Sequence, residues 1–274
     1  MCCNSDFSLP VAYSKPFGWP DQNCIIFRWD FLSAMEHLDN PKDVYIWDGG
    51  LPQKPIPPWN YSLFFNIKGL TNEYYGNAYF IKDRKLTEVP CFEGIESIDF
   101  GDKIGVLEAA VTSGGLSTMP WTYEGKINSL ENKTLRFPGH WDKMIAYRQL
   151  GLFEENKVDY KGMLISPRDF YHFLLDPQLK NNNNKDFCIM RTRADGILDG
   201  ENVSAQVDTI EYHDDETGFT AMEKWTGWHA SIMMQHIMNN KIDSGAYPIE
   251  KALSGEDFYL QAKRRNYNIN IKVA

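Results

Sequence analysis

Short runs rich in aromatic and β-branched residues recur along the chain, broken by Gly, Pro and Asp clusters. Between them lie longer stretches in which apolar residues return every three or four positions. The short runs predict strands and the longer stretches helices. A helix is expected from Ile25 to His37, with Ile25, Trp29, Leu32 and Glu36 along one face. DVYIWDGG, residues 43–50, predicts a strand stopped by its glycine pair, and LPQKPIPPW then forces an extended connection. Further strands are expected at 61–66, 78–82 and 86–89, the last two joined as a hairpin through Asp83, Arg84 and Lys85.

A strand at 104–111 runs into TSGG, residues 112–115, followed by a helix or turn up to Pro120. The strand 130–137 ends at Pro138 and Gly139, and a helix covers 140–150. Ser166, with Pro167 behind it, starts a helix to about Leu175. After the solvated tract Asn181–Asn184 come strands at 186–193 and 202–212, with Ala194, Asp195 and Gly196 opening the connection between them. The longest helix spans 220–239, and Ser254 caps another that reaches Arg265. Residues 1–24, with Pro10, Pro16 and Pro20, form an irregular lead-in. Strands in runs with helices interspersed irregularly imply an α+β fold: a mixed, largely antiparallel sheet covered by helices.

Composition narrows the function. The net charge is −9, which offers no basic field to a phosphate backbone, so nucleic acid is excluded as an expected partner. The most apolar helical stretch, 219–238, carries Glu223, Lys224, His229 and His236, so no membrane span is expected. Five cysteines with no CxxC pair signal neither a zinc site nor a disulfide framework, and a reducing, cytoplasmic location fits them best.

Four stretches carry candidate chemistry. TSGG ends a strand in hydroxyl donors, Thr112 and Ser113, and in Gly114 and Gly115, which allow a ligand close to the backbone. Taken alone it is better read as an ordinary tight turn. TLRFPGH, residues 134–140, sets Arg136 at a strand end, where its planar fork can hold a carboxylate, and His140 just past the turn. By spacing alone an ion-paired arginine and a packed or capping histidine are the better reading. His213, Asp214, Asp215 and Glu216 are expected to form a solvated turn rather than a metal site, and Gly227, inside the longest helix, to allow close packing. No GxGxxG follows a strand and no P-loop occurs.

GGLPQKPIPPWNYSLFFNIKGL at 49–70, LEAAVTSGGLSTMPWTYEGKI at 107–127 and NKTLRFPGHWDKMIAYRQLGLF at 132–153, with DETGFTAMEKWTGWHASIMMQHI at 215–237, together resemble the saccharopine dehydrogenase family, in particular its lysine 6-dehydrogenase-like subgroup. The resemblance implies that residues 25–274 form the substrate-binding and dimerisation domain of an NAD(P)-dependent oxidoreductase. Such an enzyme acts on the amine carbon of a lysine-like or saccharopine-like amino acid. It implies NAD or NADP as cofactor, held on an N-terminal Rossmann domain that is absent from this sequence, so this chain alone is not expected to bind it. The expected partners are a second copy in a homodimer, a separate Rossmann-domain protein and a small amino-acid ligand. Thr112, Ser113, Gly114, Arg136 and His140 correspond to the substrate-contacting patch. The alternative is a non-enzymatic remnant that serves as a dimeric binding or interaction module, and the 8 Trp and 14 Tyr would suit such a surface.

Overall fold

A run of aliphatic and aromatic residues with turn residues at both ends becomes a strand in nearly every place the pattern allows it. The computed structural model describes residues 27–101, 103–180 and 185–274. The lead-in 1–24 and the tract Asn181–Asn184 lie outside the described residues. In chain order the elements begin with α1 (Phe27–Glu36), β1 (Asn40–Pro52), α2 (Ile67–Glu73) and the hairpin β2 (Asn77–Lys82) and β3 (Lys85–Pro90). Next come β4 (Glu96–Asp99), β5 (Val106–Ala110), α3 (Met119–Tyr123), β6 (Ser129–Arg136) and α4 (His140–Gln149). A ribbon, β7 (Val158–Tyr160) and β8 (Met163–Ile165), leads into α5 (Pro167–Leu179). The chain then forms β9 (Asp186–Leu198), β10 (Glu201–Tyr212), α6 (Ala221–Met238), α7 (Gly255–Arg264) and β11 (Ile269–Val273).

One nine-stranded sheet holds the order β11-β10-β9-β1-β6-β2-β3, with β5 also on β6 and β4 on β5. Among the described residues β1 and β6 are its one parallel pair, in register Asp48 with Thr134. The fold is therefore α+β with a largely antiparallel sheet, as the pattern predicts. One core lies between the sheet and α1, α6 and α7, and is built from Ile46, Met190, Val207, Trp225 and Phe258. A second joins α2, α4 and α5 through Leu70, Trp141, Phe153 and Leu175.

Helix starts follow the expected cap chemistry. Ser166 and Ser254 accept hydrogen bonds from the backbone N–H groups of Asp169 and Asp257. Thr220 and Glu223 form a reciprocal capping box. The fully buried Asp186 carboxylate adds to it by accepting from the N–H groups of Ala221 and Met222 at 2.8 and 3.0 Å, which docks α6 onto the start of β9.

Four expectations need correction. Residues 61–66 are not a strand: Asn66 caps α2 by accepting from Lys68 N–H, and the aromatic run before it is an irregular approach to that helix. The glycine pair does not stop β1, which runs to Pro52. A Cβ on Gly49 would lie 2.6 Å from the Leu135 carbonyl oxygen, so the residue marks a close approach of β1 to β6. Ala194, Asp195 and Gly196 lie inside β9 and open no connection. The turn is Asp199-Gly200, with φ of +51° and +84°, the left-handed pair of a two-residue hairpin. Gly227 is exposed, and a Cβ there would meet nothing within 4 Å, so close packing does not explain it. Gly227→Ala is accordingly expected to stabilise the fold by about 0.5–1 kcal/mol, read from the midpoint of urea unfolding.

Candidate functional site

Side chains on a strand alternate between faces, so Asn132, Thr134 and Arg136 of β6 form a single row. All three are buried. Asn132 donates to Asp48 Oδ1 of β1 at 2.7 Å, and Thr134 Oγ1 meets Thr112 Oγ1 at 2.7 Å. Arg136 ends the row against the C-terminal end of α2. Its Nε donates to the Tyr74 hydroxyl at 2.9 Å and its Nη1 to the Leu135 carbonyl at 2.9 Å, while Nη2 lies 3.9 Å from Glu73 Oε2. Aromatic faces close the rest of the shell: the guanidinium carbon sits 5.0 Å from the Tyr61 ring centre and 5.8 Å from those of Tyr74 and Trp141.

His140 enters through the same phenol. The Pro138-Gly139 turn, with Gly139 at φ +81°, starts α4 with His140 as its first residue, and His140 Nε2 lies 3.0 Å from Tyr74 Oη. Because Tyr74 Oη accepts from Arg136, its own proton serves Nε2, which assigns the imidazole as the Nδ1–H tautomer. Burial, then the charges of Arg136 and Lys143, hold the His140 imidazole well below its ordinary range. Burial pushes the Tyr61 phenol up to about 12 and raises the Tyr74 phenol well above its usual value. Burial also opposes the charge on Arg136, but Tyr74, Tyr61 and Glu73 outweigh that cost and raise its affinity for the proton. The cluster therefore holds one guanidinium, with the Glu73 carboxylate 3.9 Å away, among neutral phenols and a neutral imidazole at pH 7.

The histidine shift has a measurable sign. A histidine that stays neutral when folded binds its proton only in the unfolded chain, so its contribution is complete above the unfolded pKa of about 6.5 and is lost as pH falls below it. Thermal unfolding between pH 7.5 and 5.5 is expected to show a total loss of about 1.4 kcal/mol from His140, most of it below pH 6.5, where the slope rises toward about 1.4 kcal/mol per unit. His140→Gln is expected to lower the slope by about one proton.

The structure brings the TSGG stretch to this row. Thr112 is buried against Thr134, and Ser113 ties the loop to the end of α2, its N–H donating to the Glu73 carbonyl and its Oγ to the Asn72 carbonyl at 2.7 Å. Gly114, at φ +85°, is exposed at the tip. Gly115 lies so close to the Asn132 amide that a Cβ would fall 1.9 Å from Oδ1. Arg136 and His140 thus join through Tyr74, and Thr112 and Ser113 approach from the loop side. A groove of about 640 Å³ between α2 and α5 includes none of these residues. His213 to Glu216 form the expected turn, in which Asp214 accepts from the Glu216 N–H.

Tyr61, Glu73, Tyr74 and Trp141 belong to the site, and sequence reasoning does not single them out. The one local signal is Asn66 followed by Ile67, Leu70 and Thr71 at helical spacing, which would have placed Glu73 and Tyr74 at a helix end.

Comparison with known proteins agrees with this architecture. The model of the saccharopine dehydrogenase C-terminal domain matches residues 29–263. The chain belongs to the saccharopine dehydrogenase C-terminal domain family. Among solved structures similar to this family member is apo saccharopine dehydrogenase (L-Glu forming) from Saccharomyces cerevisiae, at 13% identity and a TM-score of 0.69. That match covers 91% of this chain and 71% of the yeast protein. Homospermidine synthase from Legionella pneumophila, solved in complex with NAD, follows at 8% identity and a TM-score of 0.56, with 92% and 61% covered.

The strand–glycine–helix unit of this saccharopine dehydrogenase C-terminal domain that comes nearest to a dinucleotide turn is β6–Gly139–α4. A pyrophosphate would need the free N–H groups and positive end of that helix. Gly139 N–H already donates to the Glu108 carboxylate at 2.9 Å, which places a negative charge where the phosphates would lie. The described residues of this family member do not fit a dinucleotide there. No described helix is long and apolar enough to cross a membrane.

Proposed function

We propose that this chain is the substrate-binding and dimerisation part of an NAD(P)-dependent oxidoreductase acting on the amine carbon of a lysine-like or saccharopine-like amino acid. The dinucleotide is supplied by a unit other than these residues, in the same polypeptide or a separate one. The observation that carries the reading is the buried guanidinium of Arg136, set among neutral phenols and an imidazole with the Glu73 carboxylate 3.9 Å away, at the end of a polar row that also receives the TSGG loop. Its contact with Glu73, 3.9 Å, is longer than a charge-assisted hydrogen bond, so a substrate carboxylate at 2.7–2.9 Å competes favourably for the same fork. Neutral His140 and the Tyr74 hydroxyl form a proton path beside it, and Thr112, Ser113 and Gly114 bound the loop side of the ligand.

Isothermal titration tests this directly. The chain, with a dinucleotide-binding partner supplied, is expected to bind lysine or saccharopine, and Arg136→Lys to weaken binding at least about tenfold because an ammonium cannot present the fork. NAD(H) and NADP(H) are expected not to bind the chain alone. Tight dinucleotide binding by this chain, or no amino-acid binding with the partner present, refutes the proposal.

One observation favours a second reading, a non-catalytic binding module: Arg136 is only 1% exposed, and a ligand reaches it only if the α2 end and the TSGG loop part. Equal ligand profiles for the wild type and Arg136→Lys would select that reading.

A further inference from the structure

Two adjacent glycines near the end of β1 are bare for different reasons. Both lie in ordinary strand geometry, so neither is required by its backbone angles. A Cβ on Gly49 would strike the Leu135 carbonyl, which belongs to the backbone and holds its place. A Cβ on Gly50 would instead lie 2.6 Å from Met222 Cε, the far end of a flexible side chain. The strand thus leaves a side-chain place empty at a buried position, and a methyl group from α6 fills it. That place adjoins the arginine. Asp48 of β1 pairs with Thr134 of β6, so in the same register Gly50 comes beside Arg136, and on its other side it pairs with Cys188 of β9. Arg136, Gly50 and Cys188 form one row across three strands, on the face that also carries Asp48 and Thr134. Burial, then the charges of Asp186, Asp48 and Glu211, push the Cys188 thiol up, and the Arg136 guanidinium pulls it the other way. The row is therefore positive at the Arg136 end and negative toward Cys188.

We propose that Met222 is a displaceable plug and the specificity-determining residue of the Arg136 site: its methyl holds the place over Gly50 until the unbranched aliphatic chain of an amino acid anchored at Arg136 lies there instead. The proposal rests on the substrate-binding reading above and adds what lies beyond its carboxylate anchor. Three features carry it. First, the plug is movable on a fixed base. Methionine is unbranched and turns about three side-chain bonds, so its end vacates a place at low cost, while the Met222 N–H stays tied to the buried Asp186 carboxylate at 3.0 Å. Second, the place is one side chain wide, because neighbouring strands lie about 4.8 Å apart, and that width admits a methylene chain but not a branched one. Third, burial keeps the Cys188 thiol neutral, so the wall beyond Gly50 suits methylenes, and the polarity of the row directs a lysine-like chain with its carboxylate at Arg136 and its ammonium toward the acidic end. Packing alone would be served equally by alanine at position 50 with a shorter side chain at 222. The pair of glycine and methionine differs in that it empties without moving a strand.

Isothermal titration of the full chain with lysine, saccharopine and leucine, the dinucleotide-binding partner supplied, decides the matter. Gly50→Ala is expected to keep the circular dichroism spectrum, since only a methionine methyl has to yield, and to weaken lysine and saccharopine binding at least about tenfold because the place stays filled. Adding Met222→Ala to Gly50→Ala is expected to recover part of that loss. Met222→Ala alone is expected to shift the preference at least about tenfold from lysine toward leucine, whose branch the widened place accepts. A wild type that binds neither lysine nor saccharopine overturns the substrate-binding reading and the plug with it. Wild-type binding that Gly50→Ala leaves unchanged overturns the plug alone. So does a Gly50→Ala loss that Met222→Ala fails to relieve, or a preference for lysine over leucine that Met222→Ala does not alter.

Discussion

Arg136→Met is expected to lower stability by about 3–5 kcal/mol, which for a chain of this size lowers Tm by roughly 10 °C. Methionine matches the stem of arginine but brings no charge, so Tyr74 Oη loses the donor at 2.9 Å and the buried Glu73 carboxylate loses the guanidinium 3.9 Å away. Desolvation explains the size of the effect: the favourable energy of a buried pair is modest, while removing one side of it leaves the burial of the other less compensated. The double variant Arg136→Met, Glu73→Gln is therefore expected to recover part of the loss, and urea denaturation of the two measures it. A loss below about 1 kcal/mol in the single variant would mean that Glu73 is not relying on Arg136.

Trp141→Ala carries the second large effect, about 3–5 kcal/mol. The ring is fully buried in α4, edge-on to Tyr74 and His140, and one of the faces the guanidinium rests against. Its Nε1–H donates to the Glu108 carbonyl at 3.0 Å, fixing α4 to β5. Trp141→Phe separates the two contributions: it keeps an aromatic wall, loses the hydrogen bond, and is expected to cost about 1–2 kcal/mol. Because Arg136 and Trp141 touch, the losses of Arg136→Met and Trp141→Ala are expected to sum to more than the loss of the double variant. Equilibrium unfolding of the three variants checks this.

Local pattern foretold the elements whose causes are local. Ser166, Thr220 and Ser254 cap the helices they were expected to cap, and the β2–β3 hairpin forms where a charged turn separates two alternating runs. The misreadings have tertiary causes. YSLFFN has strand composition, but its aromatic residues lead up to a helix. Gly196 has turn chemistry, yet it stays in β9 because a Cβ there would lie 2.4 Å from the Asn40 carbonyl of β1, a proximity invisible along the chain. Arg136 and His140 stood out by residue type and by company. Tyr74 did not, because what gives it a role is a helix whose cap went unrecognised and a strand 62 residues away.

The pairing of β1 also governs how the chain comes to be folded. Its partners are β6, where Asp48 meets Thr134, and β9, where Gly49 meets Ile189, so the central strand has no neighbour nearby in sequence. Contacts of such long separation make folding slow, since long loops must close before any of them forms. During synthesis from the N-terminus, Val44, Ile46 and Leu51 have left the ribosome long before β9 exists to cover them. The row ending in Arg136 takes shape only after β6 has docked on β1. The same strand that organises the site is thus the segment most exposed to aggregation in a nascent chain, and the one a chaperone would be expected to hold.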